Sequence, residues 1–280
     1  MVQSRRPAGF LSSIRRRDVW GLSTTKLQVR LAETPLDLEA AQALRYRVFY
    51  EEMGAIPTAE MRLRQRDFDS FDDLCDHLLV IDPERSNGHP HVVGTYRLLR
   101  KSVAMRAQGF YTQQEFDIGP LVDQPSEIVE LGRSCVDRDY RTRAVMQILW
   151  GGLAAYIDDF DIALMFGCAS LPGTEPLAVR SALSYLHHFH LAPETLRPRA
   201  LDERYVAMGV LPPADLDRSA VLSELPPLMK GYLRVGGFVG DGAVVDLQFN
   251  TTDVCIIVKT DSISAKYRRH YMDSPKPLVV

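Results

Sequence analysis

The stretch that most constrains this chain is residues 127–144, EIVELGRSCVDRDYRTRA. It begins as an apolar strand, yet Glu130 and Arg133 stand where a purely structural strand would carry Val or Leu. It leaves through Val136 into a basic turn, with Arg138, Arg141 and Arg143, and enters a helix. Burying charge is costly unless it is paired, so the strand needs a fold in which other segments bring partners to it. A strand carrying an acid and a base, opening onto a cationic turn at a helix start, suits chemistry on a phosphate-bearing substrate.

The flanking segments set the fold class. Residues 27–33, LQVRLAE, alternate apolar and polar as an edge strand does. Thr34-Pro35-Leu36-Asp37 is a helix start, with Thr34 as N-cap and Pro35 in the first turn. Leu38, Ala41, Leu44 and Val48 give that helix an apolar stripe, which runs to about Met53, before Gly54. Residues 55–76 are too polar for core and read as a loop, although Phe68 and Phe71 suggest that it packs down. HLLVID (77–82) and VVGTYRLL (92–99) predict two adjoining strands, the second with Arg97 among apolar neighbours. A short helix over 110–116 precedes the opening strand.

After it, Val145, Ile148, Leu149, Leu153 and Tyr156 stripe a helix from about Ala144 to Phe160. Residues 162–170 read as a buried strand and 177–190 as a helix. His187, His188 and His190 on that helix have no spaced partners and are expected at the surface. Residues 191–227 are irregular, and strands are predicted over 228–235, 240–248 and 253–258. This order predicts one mixed α/β domain, 27–280, with a strand-rich extension over about 225–275.

Composition excludes several classes. No apolar run reaches the ~18 residues of a membrane span. Cys75, Cys135, Cys168 and Cys255 are far apart, form no Cys/His cluster and read as reduced thiols, so neither a zinc site nor any other metal site is expected. There is no GxGxxG and no P-loop. Net charge is −3, and nucleic acid is not an expected partner. Residues 1–26 form a basic arm, in which arginines interleave with Phe10, Leu11, Ile14, Val19 and Trp20. The arm reads either as a solvated tail or as a contact to anionic lipid. The expected location is cytoplasmic, peripheral to the inner face of a bacterial inner membrane on the second reading.

Ordered strings then resemble a known family. Arg45 to Phe49 (R-x-x-V-F), Asp67, Asp69 and Asp72 (D-x-D-x-x-D), Gly94 with Arg97 (G-x-x-R-L-L) and Glu130 with Arg133 (E-L-x-R) are similar to the signature of acyl-homoserine-lactone synthases. DLCDHLLV (73–80), GCASLPGT (167–174) and LPPLMKGYLRVGG (225–237) look like the ornithine-lipid N-acyltransferases. Both belong to the GCN5-related N-acyltransferase (GNAT) superfamily. The resemblance spans roughly residues 28–275 and implies a GNAT-like fold, a mostly antiparallel central sheet flanked by helices. It implies transfer of a 3-hydroxyacyl chain from acyl carrier protein to the α-amine of L-ornithine, giving lyso-ornithine lipid. The donor would be a 3-hydroxyacyl-phosphopantetheine thioester, and no cofactor would be permanently bound. The superfamily's glycine-rich pyrophosphate turn is replaced here by Arg138-Asp-Tyr-Arg-Thr-Arg-Ala, which argues against ordinary coenzyme A and for a carrier protein met by Arg138, Arg141 and Arg143.

Amide formation from a thioester needs a neutral amine, a polarised carbonyl and attack geometry. On this reading Glu130 accepts the amine proton, the alternative being an ion pair with Arg133 that only holds the fold. Backbone N–H groups near Cys135 and Val136 polarise the carbonyl. Asp67, Asp69 and Asp72 bind ammonium groups and order their loop. Arg45, Arg97 or Arg133 meets the acceptor carboxylate or ties the loop down. The alternatives are a homoserine-lactone synthase, an N-acyltransferase for glutamine, lysine or another amine, and a non-enzymatic lipid-surface protein.

Overall fold

The computed structural model describes residues 27–261. The basic arm, 1–26, and the end of the expected C-terminal extension lie outside the described residues.

β1 (Gln28–Leu31) leads into α1 (Pro35–Tyr46), which starts where capping chemistry places it. Thr34 Oγ1 accepts the N–H of Asp37, and Asp37 Oδ2 accepts the N–H of Thr34. α1 continues as a π-helical turn, Arg47–Glu52. Next come α2 (Ala59–Arg64), β2 (Asp76–Ile81), β3 (Val92–Arg100), α3 (Lys101–Ala104), β4 (Phe116–Asp117), α4 (Gly119–Val122) and β5 (Glu127–Val136). Then follow α5 (Arg143–Asp159), β6 (Ile162–Pro172), α6 (Arg180–His190), β7 (Arg199–Ala200), α7 (Arg218–Glu224) and α8 (Pro227–Arg234). β8 (Phe238–Val239), β9 (Val244–Asp246) and β10 (Thr251–Lys259) complete the order.

The central sheet runs β1-β2-β3-β5-β6-β10-β8, with β9 also on β10. β5 and β6 pair parallel, and the other pairs in the sheet are antiparallel. This is the mixed, mostly antiparallel architecture that the resemblance implies. α5 covers one face. Its predicted stripe is buried in the main core with Leu78, Val80, Val93 and Tyr96 of the sheet and with Met229 and Tyr232 of α8. The helix lies flush on the sheet at Gly152, where a Cβ would come 2.7 Å from Val29 and 3.0 Å from Leu78. A second cluster, with Phe71, Phe110, Phe116 and Phe166, fills the other face. Among the described residues no helix is long and apolar enough to cross a membrane.

Two irregularities position the site. The β5–β6 pairing covers Glu127–Glu130 against Ile162–Phe166 and then stops. Beyond it, β5 stays on β3 as far as Val136, and β6 stays on β10 as far as Pro172. The two edges facing each other are therefore left open. Gly167 marks the last close approach, because a Cβ there would collide with the Leu131 carbonyl oxygen. The second irregularity is a bulge in β5. Gly132 pairs Arg97 and Cys135 pairs Thr95, so Arg133 and Ser134 together oppose Tyr96. Arg133 has φ 48, an uncommon left-handed conformation for a non-glycine residue.

Several expectations are corrected. Residues 228–234 of the expected strand 228–235 are helical, because Pro226 and Pro227 open a helix that places Met229 and Tyr232 on its buried side. The predicted strand over 240–248 shrinks to Val244–Asp246, and the helix over 110–116 to a single 3-10 turn, Tyr111–Gln114. The loop judged too polar for core carries the short α2 and buries Asp67 and Asp72. His187, His188 and His190 are half-buried rather than at the surface. His188 Nε2 lies 2.8 Å from the Leu211 carbonyl and His190 Nε2 lies 3.3 Å from the Tyr185 hydroxyl.

Candidate active site

The open edges of β5 and β6 border a cavity of about 510 Å³. Its lining divides by chemistry. Tyr96, Leu228, Met229 and Tyr232 form an apolar wall, with the Tyr96 and Tyr232 hydroxyls 3.1 Å apart. Arg97, Glu130, Arg133, Asp246 and Asp253 bring charge to other parts of the same cavity. Cys135 and Val136 line it at the open edge of β5. The N–H of Asp137 donates to Val93 of β3, and alternation along an antiparallel ladder turns the N–H of Val136 the other way, toward the opening.

Three arginines and three aspartates form a buried network beside the cavity. Arg45, fully buried in α1, donates to Asp67 Oδ2 and Asp72 Oδ2, each at 2.7 Å, and to the Asp67 carbonyl at 2.6 Å. Arg97 donates to Asp69 at 2.6 Å and to Asp72 at 3.1 Å. Arg133 bonds Asp69 at 3.2 Å and lies 3.3 Å from Asp67. Tyr50 donates to Asp67 at 2.8 Å and Gln42 to Asp72 at 2.8 Å. Burial alone would raise the aspartates, but the guanidiniums of Arg133 and Arg45 beside Asp67, and of Arg45 and Arg97 beside Asp72, hold both carboxyls below their usual range. The D-x-D-x-x-D spacing thus clamps the 67–75 loop onto β3 and β5. Arg45, Asp67 and Asp72 face one another and do not line the cavity, which fits the loop-ordering role set out for them above. Asp69 stays partly exposed, at 23% of its side chain.

Glu130 takes no part in this network, and Arg133 pairs with Asp67 and Asp69 instead of with it. Glu130 accepts the N–H of Tyr111 at 3.0 Å and of Thr112 at 2.6 Å. Burial pushes its carboxyl up, against the pull of these Thr112 and Tyr111 hydrogen bonds and of Arg97. Arg133 reaches the cavity between two rings, with its guanidinium carbon 4.9 Å from the Tyr111 centroid and 4.5 Å from that of Phe249.

At the start of α5, Thr142 Oγ1 accepts the N–H of Val145. Arg138, Arg141 and Arg143 are exposed there. Of the three, Arg141 lines the cavity, and it donates to the Val136 carbonyl at 3.1 Å and to Glu52 at 2.6 Å.

Sequence reasoning missed a second acidic group. Glu115, Cys168 and Asp253 present Oε, Sγ and Oδ atoms that all lie within 4.8 Å of one another. Cys168 donates to Glu115 at 3.2 Å. Burial raises Glu115 to about 7 and Asp253 to about 6. The signal was available: Asp253 interrupts the apolar run TTDVCIIV just as Glu130 interrupts its own strand.

Residues 44–151 match the family model described as "Acetyltransferase (GNAT) domain". Among solved structures, a CoA-dependent acyl-homoserine lactone synthase, BjaI, is 17% identical with a TM-score of 0.45, covering 85% of this chain and 83% of that one. Curated relatives are much more similar in sequence. The L-ornithine N(alpha)-acyltransferase of Brucella abortus is 46% identical over 252 residues, 88% of each chain, and its counterpart from Rhizobium meliloti is 46% identical over 248 residues, 88% of this chain and 84% of that one. Identity at that level over most of both chains shows that this chain belongs to the L-ornithine N(alpha)-acyltransferase family of acyltransferases.

Proposed function

We propose that the protein transfers a 3-hydroxyacyl chain from acyl carrier protein to the α-amine of L-ornithine. Family membership carries this reading, and the division of the cavity into an apolar wall and charged parts supports it. The open edges of β5 and β6 offer unpaired backbone groups to the amides of a phosphopantetheine arm. The acyl chain lies along Tyr96, Leu228, Met229 and Tyr232. The N–H of Val136 meets the thioester oxygen as negative charge develops.

The α-amine attacks the carbonyl directly. The C–N bond forms as the C–S bond breaks, the amine proton passes to Glu130 directly or through water, and the sulfur leaves as the phosphopantetheine thiolate and is then protonated. Glu130 suits proton transfer because burial raises its carboxyl above the ordinary range and so strengthens it as a base, and its two backbone donors fix its position. Arg133, held by Asp67 and Asp69 and flanked by Tyr111 and Phe249, meets the acceptor carboxylate, with Arg97 beside it. Asp69 is the catalytic-side member of the clamp and sets the angle of both guanidiniums. Arg138, Arg141 and Arg143 form a cationic rim at the start of α5 for an acidic carrier protein. The arm 1–26, basic with interleaved apolar residues, suits contact with an anionic membrane surface.

The test offers the purified protein 3-hydroxyacyl carrier protein or the matching coenzyme A thioester, each with L-ornithine, L-glutamine, L-lysine or S-adenosylmethionine. Acyl-ornithine formed faster from the carrier protein is the expected product. Turnover restricted to another acceptor overturns the reading.

A further inference from the structure

We propose that Asp253, backed by Glu115, is the subsite for the distal ammonium of the acceptor, and that it selects a diamino acid over a neutral one. The proposal rests on the acyltransferase reading above and names a specificity determinant within it.

The first observation is an orphaned acid. Asp253 is 5% exposed, lines the cavity, and its Oδ1 is buried with no hydrogen-bond partner. The hydroxyls of Thr251, two residues away on the same strand, and of Ser170, the pairing residue on β6, lie near enough to pull the Asp253 carboxyl down, yet neither fills Oδ1. Buried polar atoms without partners are uncommon and costly. An unfilled carboxylate oxygen on the cavity wall fits a donor-rich ligand group.

The second observation is the charge balance. Asp253 and Glu115 lie within 4.8 Å of one another through their oxygens and Cys168, and Asp246 is near enough to repel Asp253. Asp246 Oδ1 is already engaged by the N–H groups of Gln248 and Phe249. The nearest cation to Glu115 is Arg204, at 3.7 Å. In the clamp every aspartate meets a guanidinium, whereas this group is under-neutralised and opens onto the cavity. A monovalent cation with several N–H donors satisfies both deficits, and an ammonium group is such a cation.

The third observation is placement. Asp253 pairs Ser170 of β6, the strand whose other edge is open to the donor. An acceptor held there by its distal ammonium, with its carboxylate toward Arg133, would present its α-amine between the two. The same carboxylate would keep the distal nitrogen protonated and so unable to attack, which directs acylation to the α-nitrogen. A metal ion is a poorer fit, because Cys168 already donates its S–H proton to Glu115 and a ligating sulfur must be a thiolate.

The test compares binding and turnover of L-ornithine with those of L-norvaline, which keeps the three-carbon chain and lacks the amine. The full chain and the variants Asp253→Asn and Glu115→Gln are measured by calorimetry without donor, then by product formation with 3-hydroxyacyl carrier protein. The wild type is expected to prefer ornithine by about 100-fold. Asp253→Asn should collapse that ratio to within about threefold, and Glu115→Gln should reduce it about tenfold. Should Asp253→Asn not fold, Glu115→Gln decides alone. An unchanged ratio in variants that fold overturns the subsite and leaves the acyltransferase reading standing. A binding ratio that collapses as expected, in a protein that never acylates ornithine, overturns the acyltransferase reading and leaves the subsite standing. Binding of neither amino acid, or an ornithine preference that appears only with Zn²⁺ and is lost on chelation, overturns the subsite.

Discussion

The Arg45–Asp67–Asp72 clamp and the Glu115–Asp253 pair are both buried carboxylate clusters, and they differ in how their charge is met. In the clamp, guanidinium donors at 2.6 to 3.3 Å surround the aspartates and hold Asp67 and Asp72 ionised. At Asp253 one oxygen has no partner, and burial lifts the carboxyl to about 6. A satisfied buried network fixes structure, whereas an unsatisfied one facing a cavity is a site waiting for a counter-charge. Arg133 belongs to both worlds. Its position is fixed by the clamp, and its guanidinium sits in the cavity wall.

The contrast breaks first at Arg45. Arg45→Met leaves Asp67 and Asp72 buried beside a neutral side chain and is expected to destabilise the fold by about 3–5 kcal/mol in urea unfolding. A loss under about 1 kcal/mol would mean that the clamp does not hold the loop. The second cluster should respond in the opposite direction. Asp253→Asn or Glu115→Gln removes an acid that burial disfavours, and each should raise stability at pH 8 by about 1–3 kcal/mol. The sign follows from the raised carboxyls. A buried acid whose folded pKa is lifted costs stability above that value and costs nothing below its unfolded value. For Glu115 the cost is therefore full above about 7 and absent below the ordinary 4.5, and for Asp253 it runs between about 6 and 3.8. Thermal melts from pH 4 to 8 should show the variants' advantage appearing across that window. An advantage independent of pH would show that charge is not its source.

Smaller effects sharpen the division of labour at the cavity. Glu130→Gln should lower kcat by about 10²–10³-fold and flatten the acidic limb of the pH–rate profile. Full activity across pH would leave Glu130 as an anchor for Tyr111 and Thr112 alone. Arg141→Ala should raise the KM for carrier-bound donor by about 3–10-fold at low salt and by less at high salt, because an exposed charge is screened. An equal effect at both ionic strengths would assign Arg141 to holding Glu52 rather than to docking.

What was legible in the sequence was local or carried by ordered strings. The N-cap at Thr34, the α5 stripe and the two odd charges of β5 all follow from short-range rules, and the structure places them as expected. The clamp was half legible. The D-x-D-x-x-D string drew attention, but its counter-ions come from α1, β3 and β5, and spacing alone could not show that three guanidiniums would saturate it. α8 was misread because LMKGYLR alternates loosely, while the two prolines before it are a helix start. The Glu115–Asp253 pair was illegible as a pair. Its members are joined by the β6–β10 register and a 3-10 turn, which no local pattern encodes.

The most direct test of the whole account is the position of the acyl group on the product. L-Ornithine labelled with ¹⁵N at the α-position, incubated with the protein and 3-hydroxyacyl carrier protein, is read by tandem mass spectrometry. The account predicts an amide whose acyl fragment retains the label, because the distal ammonium is held at Asp253 while the α-amine faces the thioester. An amide on the unlabelled distal nitrogen, or no amide at all, would contradict it.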